Sequence, residues 1–364
     1  MAIAKDFQAL LEIVGTCDKR IFGLDPAERL KRQIHAVNRL RDKHGKPRMG
    51  VAASASAVID EAALQWLLDN PGQLLTSAKG TPLAVAAPVE RISEARAVVE
   101  RGGPGTIAGG RHFVRKLRRR VELLGVSLDE GARGSVERRL YGNAYKGVTD
   151  LITKYVWPEP AFHVTRLCAR LRMTPNMVTS VGVLLMFIAT YLFHEGHLGW
   201  GLLAAWTMTF LDTVDGKLAR VTVTSSWFGN LLDHGTDILH PPLWWWAVTV
   251  GLAGIEPART DTLWLSFTVV LITYVVSRIL EEGFKRKFGF NAFIWQPFDS
   301  RFRMVISRRN ILLLVLTIGL VAGLLSESWV VAAAWSFVSV LVQGWRFVTA
   351  WRAARSGPLT CWLA

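Results

Sequence analysis

The chain has 364 residues, enough for two domains, and is 51% hydrophobic with 15 Trp, which excludes a single soluble globule. Its 43 Lys and Arg against 29 Asp and Glu give a formal charge of +14, suited either to nucleic acid or to the cytoplasmic loops of a membrane protein, so the placement of charge decides. Cys17, Cys168 and Cys361 stand far apart in no CxxC or Cys/His spacing, which excludes a disulfide framework and a zinc site.

The opening MAIAKDFQALLEIVG lacks a basic region followed by an apolar core and cleavage site, so no signal peptide is expected and the N-terminal half is expected in the cytoplasm. Residues 1–140 mix a helix-like stretch at 25–41 with β-like or apolar runs at 49–58 and 82–87, predicting a small α/β domain. Its turn material includes Arg101-Gly-Gly-Pro-Gly and Ala108-Gly-Gly, followed by the basic run Arg115, Lys116, Arg118, Arg119 and Arg120. Without Walker or Rossmann spacing, this reads as a surface loop and a solvated helix face.

Residues 141–176 form an interfacial segment in which Tyr141, Tyr145, Tyr155, Trp157 and Phe162 alternate with Lys146, Lys154, Arg166, Arg170 and Arg172. Pro158 and Pro160 are expected to break the chain there, so that a juxtamembrane amphipathic helix begins near Phe162.

Six candidate spans follow, at 177–194, 199–219, 228–253, 262–283, 309–325 and 329–350. The second and third contain Asp212, Asp215, Asp233 and Asp237, which are costly in hydrocarbon and therefore a functional signal. The connections at 194–199, 254–261 and 326–328 hold only Arg259 among Lys and Arg. The opposite side carries Lys285, Arg286, Lys287, Arg301, Arg303, Arg308, Arg309, Arg352 and Arg355. The positive-inside rule then places both termini and the second-to-third connection in the cytoplasm, which accounts for most of the basic excess without nucleic acid. Trp200, Trp264 and Trp329 begin spans at the far face as an aromatic belt would, and Trp244-Trp-Trp reads as lipid-facing bulk. The expected fold is an α-helical integral membrane bundle of six transmembrane helices at 177–350, preceded by the juxtamembrane helix and the cytoplasmic α/β domain, and followed by a cytoplasmic tail at 351–364.

Chemistry concentrates in LDTVDGKLARVTVTSSWFGNLLDHGTD, starting at Leu211. Asp212 and Asp215 are three apart on one helix, and Asp233 and Asp237 four apart on the next, so each pair shares a helical face. A short connection makes the helices an antiparallel hairpin whose four carboxylates converge near the cytoplasmic boundary. Converging anions repel unless cations bind, and an all-carboxylate ligand set selects Mg²⁺ or Mn²⁺ over zinc. Hard cations at a membrane surface most often serve phosphates. Gly216, Ala219 and Gly229 leave room for a nucleotide, and Arg220 adds a cationic fork.

This stretch resembles the signature of the CDP-alcohol phosphotransferase family, D-x2-D-G-x2-A-R-x8-G-x3-D-x3-D, at Asp212, Asp215, Gly216, Ala219, Arg220, Gly229, Asp233 and Asp237. The resemblance covers roughly residues 140–350 and extends to Thr174-Pro-Asn-Met-Val-Thr179, similar to the family's TPNxxT entrance to its first transmembrane helix. It implies that Asn176 and Thr179 approach the nucleotide, and that Asp212, Asp215 and Asp233 hold one or two metal ions, two being the expectation, against the donor diphosphate. Asp237 is a further ligand or the general base, with Asp233 and Asp237 the catalytic pair. The implied reaction moves a substituted phosphate from a CDP-alcohol to an alcohol with release of CMP, in a homodimer at the inner membrane. Residues 1–140 occupy the place of the nucleotidyltransferase domain in fused enzymes that make and use CDP-inositol. They lack its Gly-rich triphosphate loop, so a degenerate, regulatory or scaffolding domain is expected.

Outside the signature, Arg278 either grips an acceptor or lipid phosphate or snorkels to the headgroups. Arg301, Arg303, Arg308 and Arg309 either build an anionic pocket or are ordinary positive-inside charges. Lys146, Asp150 and Arg166 are further candidates for the same cavity, and His234 is expected in a supporting role. The competing function is a transporter using the buried Asp cluster for cation coupling, against which the spans show no repeat. The acceptor is an alcohol or a phosphorylated alcohol and the donor CDP-diacylglycerol or a CDP-polyol.

Overall fold

The computed structural model describes residues 10–43, 45–107, 111–224 and 227–364, without the side chains of 107, 116, 225–234 and 237. Contacts divide the chain into two compact units, Met1–Tyr145 with Thr165–Thr174 and Lys217–Thr224, and Lys146–Val164 with Pro175–Gly216 and Ser225–Ala364.

The first unit runs β1 (Leu11–Val14), α1 (Pro26–Lys43), β2 (Met49–Ser54), β3 (Ala57–Ile59), α2 (Glu61–Asp69), β4 (Leu74–Thr76), β5 (Pro82–Pro88), α3 (Ile92–Arg101), β6 (Thr106–Ile107), β7 (Arg111–Val114), β8 (Arg119–Glu122), β9 (Gly125–Ser127) and α4 (Arg133–Asn143). Five strands form one mixed sheet in the order β1-β2-β5-β4-β6, with β1–β2 and β4–β6 parallel. Its central strands are buried on both sides, and the period of two sorts their residues. Val51, Ala53, Ala84 and Ala86 pack with Leu30 and Ile34 of α1 and Leu64 and Leu67 of α2. Ala52, Val85 and Ala87 pack with Ala95 and Val99 of α3. Helices on both faces explain why β2 and β5 read as continuous apolar runs rather than alternating ones. Helix α2 starts at Asp60, whose carboxylate accepts from the Ala63 amide at 2.8 Å as an N-cap.

The basic run from Arg115 is a single 3-10 turn, Arg115–Leu117, followed by a strand, rather than the face of a longer helix. It turns β7 into β8, an antiparallel hairpin with Val114 opposite Arg119 and Arg118 left-handed at φ +50°. The run has no apolar stripe at helical spacing, whereas Val121, buried in β8, suits a strand.

In the second unit a π-turn at Ile152–Val156 leads into α5 (Pro158–Arg170), followed by α6 (Pro175–His194), α7 (Leu198–Thr222), α8 (Trp227–Ile255), α9 (Thr260–Phe288), the short α10 (Pro297–Phe302), α11 (Arg309–Ala322) and α12 (Leu325–Ala353). The last turns of α5 and α7 belong to the first unit. Helix α5 begins at Pro158 rather than near Phe162. Both prolines fall in its first turn, where the N–H that proline lacks has no intrahelical acceptor, so they start the helix instead of breaking the chain.

Helices form at all six expected spans, but among the described residues length and composition qualify four stretches to cross a membrane: α6, Ile238–Ile255 of α8, Pro257–Phe288 and α12. Helix α7 is 25 residues long but carries Asp212, Asp215, Lys217 and Arg220. Helix α11 has 14 residues and stops at Gly323, left-handed at φ +70°. At 1.5 Å per residue it is about 21 Å long, short of a core roughly 30 Å thick. These apolar helices suggest a multi-pass membrane protein. Their core holds Met186, Phe193, Ala205, Trp244, Trp245, Leu313 and Trp329, while Leu184, Phe187, Leu203, Ile272, Ile318 and Phe337 form an apolar outer surface.

Trp244-Trp-Trp is therefore not lipid-facing as a block. Consecutive helical residues point about 100° apart, so Trp244 and Trp245 are buried and Trp246 faces outward. The Trp244 indole donates to the Met186 carbonyl at 3.1 Å. Pro241 and Pro242 lie inside α8. Pro242 cannot donate to the carbonyl of Ile238, and the Tyr274 hydroxyl does so instead at 3.0 Å.

Candidate active site

Helix α7 presents Asp212 and Asp215 one turn apart. Asp215 is buried, and its Oδ2 lies 2.6 Å from the Thr179 hydroxyl on the second turn of α6. The same hydroxyl lies 3.0 Å from the Pro175 carbonyl. With one proton to give, it favours the shorter, charge-assisted contact to the carboxylate. Thr179, expected beside the nucleotide, thus orients a carboxylate. Asn176 is half-buried one turn earlier on α6.

Asp212 Oδ2 accepts from Arg309 Nη2 at 2.6 Å, and Arg309 Nη1 lies 3.3 Å from His240 Nε2. His240 is buried in α8, and its Nδ1 is 2.5 Å from the Thr236 carbonyl. Nδ1 therefore carries the proton, leaving Nε2 to accept from the guanidinium. Arg309, expected from sequence among the acceptor arginines, is thus the partner of Asp212. The available signal was position: cations at a helix N-terminus oppose its dipole and need an anion. Arg308, the N-cap of α11, and Arg309, its first residue, each have one, since Arg308 pairs with Glu281.

Of the other sequence candidates, Arg278, Arg303 and Arg308 lie within electrostatic reach of Glu281, and Arg278 also of His240. Gly216 follows Asp215, and Ala219 and Arg220 follow one turn later, half-buried. The backbone of Gly229, Asp233 and Asp237 lies in α8, while their side chains and that of His234 lie outside the described residues. Arg278 stacks over Tyr274, 5.2 Å from the ring centroid, on α9. Arg301 is exposed on α10, and Lys146 is exposed ahead of the π-turn. Arg303 is buried with its guanidinium 5.5 Å from the Phe293 ring centroid.

Asp150 and Arg166 hold structure. Asp150 accepts from the Thr153 amide at 3.0 Å, the Thr153 hydroxyl at 2.9 Å and the Asn310 amide group at 2.9 Å. Burial pushes its pKa up, but the charge of Arg303 and these hydrogen bonds outweigh burial and hold it below the ordinary carboxylate value. Arg166 pairs with the buried Glu137 at 2.6 Å within the first unit.

A divalent ion suits the residues present. Asp212 and Asp215 supply hard oxygen donors, each steered by a neighbouring hydrogen-bond donor as outer-shell partners steer ligands. Among the described residues no three His, Cys, Asp or Glu side chains gather as a metal site.

Residues 172–341 match the family model for CDP-alcohol phosphatidyltransferase. This stretch is similar to CDP-alcohol phosphatidyltransferases. It is 32% identical over 127 residues to a phosphatidylinositol phosphate synthase of Mycobacteroides abscessus, covering 33% of this chain and 56% of that protein. It is 33% identical over 120 residues to an archaetidylinositol phosphate synthase of Pyrococcus horikoshii, covering 33% and 60%. A phosphatidylinositol phosphate synthase of Corynebacterium glutamicum is 32% identical over 121 residues, covering 33% and 55%. The chain thus spans somewhat over half the length of these relatives. The CDP-alcohol phosphatidyltransferase match includes Asn176, Thr179 and all eight signature positions on α7 and α8.

Proposed function

We propose that the chain is a membrane-embedded CDP-alcohol phosphotransferase of the inositol-phosphate-transferring type. A hydroxyl of a phosphorylated polyol attacks the β-phosphorus of CDP-diacylglycerol. The new phosphoester bond forms as the bond to CMP breaks, and the hydroxyl proton passes to a carboxylate. The observation that carries this reading is the complete eight-position signature on α7 and α8, with Asp212 and Asp215 held on one helix by Arg309 and Thr179.

In this reading Asp212, Asp215 and Asp233 hold the divalent ions, with Asp237 as a further ligand or the base. Bound Mg²⁺ or Mn²⁺ supplies Lewis-acid stabilisation of the diphosphate and the leaving CMP. Asn176, Gly216, Ala219, Arg220 and Gly229 border the CDP moiety, and Thr179 keeps Asp215 in one orientation. Arg278, Arg301, Arg308 and Lys146 are candidates for the acceptor or lipid phosphate. A phosphorylated acceptor is supported by the relatives' names and the basic residues after 277. The active face and both termini are cytoplasmic by the charge of the loops. The α/β domain is, in this reading, a degenerate, regulatory or scaffolding domain in the place of a nucleotidyltransferase.

The test is purified full-length protein with CDP-diacylglycerol or a CDP-polyol, inositol phosphate or glycerol phosphate, and Mn²⁺, scored by CMP release and product mass. The expected result is CMP and a phosphatidylinositol phosphate, both abolished by EDTA and by Asp237→Asn. Absence of CMP with every donor, together with cation flux in vesicles lost in the same variant, would reverse the reading to a transporter.

A further inference from the structure

Helix α7 ends under unusual constraint. Val223 is left-handed at φ +52°, a conformation costly for a β-branched residue and usually left to glycine. The Thr224 amide returns to the Ala219 carbonyl at 3.0 Å, closing the helix in a Schellman-like turn. The Thr222 hydroxyl lies 2.6 Å from both the Leu218 carbonyl and the Thr224 hydroxyl. Strain of this kind persists only where surrounding contacts over-determine the backbone.

Two of those contacts come from α1. Arg29 Nε donates to the Val221 carbonyl at 3.1 Å and Arg32 Nη1 to the Thr222 carbonyl at 3.2 Å. These are two of the last carbonyls of α7, which have no intrahelical donor, and a cation there also complements the helix dipole. Arg29 is itself fixed, because it is buried and its Nη1 donates to the Ile59 carbonyl at 2.8 Å and to Gln33 at 3.3 Å. Arg29 and Arg32 are three apart on α1, so they share a face. A third anchor lies one turn back, where the buried Lys217 donates to the Ala144 carbonyl at 3.1 Å and sits 2.9 Å from the centroid of the Tyr145 ring.

Lys217 comes two residues after Asp215, and the arginine-held carbonyls come six and seven residues after Asp215 on the same continuous helix. A helix transmits rotation and axial shift along its length, so whatever fixes its last turn also fixes the carboxylates about two turns before it. We infer that Arg29 and Arg32 are positioning residues that lock the end of α7 and thereby set the placement of Asp212 and Asp215, giving the N-terminal α/β domain a clamping role. This rests on the reading of Asp212 and Asp215 as metal-holding groups.

The test compares full-length wild type, Arg32→Gln, Arg32→Lys and Arg29→Gln in detergent, reading Mn²⁺ binding by electron paramagnetic resonance and hydrogen exchange of residues 217–222. Arg32 is half-exposed, so Arg32→Gln keeps the comparison valid if Arg29→Gln does not fold. Faster exchange at 217–222 and Mn²⁺ affinity weaker by about fivefold are expected in Arg32→Gln, less than the tenfold or more for a partner touching a ligand directly. Arg32→Lys, which retains a donor, should restore most of both. Faster exchange with unchanged Mn²⁺ affinity would overturn the clamp and leave only a structural contact, as would unchanged exchange. Wild type that binds no Mn²⁺ would instead remove the metal reading on which the clamp stands.

Discussion

The Thr179 hydroxyl lies 2.6 Å from Asp215 Oδ2. Two residues 36 apart in sequence, one from the entrance of α6 and one from the first half of the Asp signature, therefore meet in one hydrogen bond. Replacing Thr179 with Val keeps the shape but leaves the carboxylate unoriented. The expected outcome is a loss of roughly tenfold in Mn²⁺ affinity, with Thr179→Ser near wild type. Mn²⁺ titration of CMP release checks this, and equal affinities in Val and Thr forms would show that the bond is incidental.

Asp212 and Arg309 form a partly enclosed pair, with side chains 27% and 16% exposed. A double-mutant cycle of Asp212→Asn and Arg309→Gln should return a coupling of about 1–3 kcal/mol in unfolding free energy. Denaturation in a defined detergent measures it. Additive effects would mean that the two side chains act separately.

Asp150 gives a pH prediction. Its folded pKa is depressed, so it contributes stability above its unfolded value near 3.9 and loses that contribution as pH falls through the folded value. Melting temperature should therefore fall more steeply below about pH 4 in wild type than in Asp150→Asn. Parallel curves for the two proteins between pH 3 and 6 would contradict the assignment.

Lys217 and Tyr145 should behave as one unit in stability. A desolvated cation over an aromatic face is worth roughly 2 kcal/mol. Lys217→Met and Tyr145→Leu are each expected to lose about that much, with the double variant losing less than the sum. Chemical unfolding of the four proteins decides it.

The membrane helices and signature were legible because apolar length and fixed carboxylate spacing are local properties of sequence. The α/β region was legible too, since the buried strands at 49–54 and 82–88 show as apolar runs. Three things were hidden. Pro158 and Pro160 carry the same composition whether they end one segment or begin another, and only the first-turn geometry separates the cases. The three tryptophans at 244–246 have equal hydropathy, so the choice between core and exterior needed the phase of the helix. The partner of Asp212 is 97 residues away, and no pattern of spacing connects them.

The brevity of α11 has a consequence for how a lipid-linked donor could be served. If α11 crosses the membrane, as the six-span reading has it, a bilayer meeting a helix about 9 Å shorter than its hydrocarbon core must thin, or admit water and headgroups, at one end. The polar end is the one that begins at Arg308 and Arg309, beside Asp212. An amphiphile could then keep its acyl chains among the lipids while its diphosphate slides into a dimple in the membrane surface. Extraction from the leaflet would be unnecessary, and turnover would become sensitive to acyl-chain length.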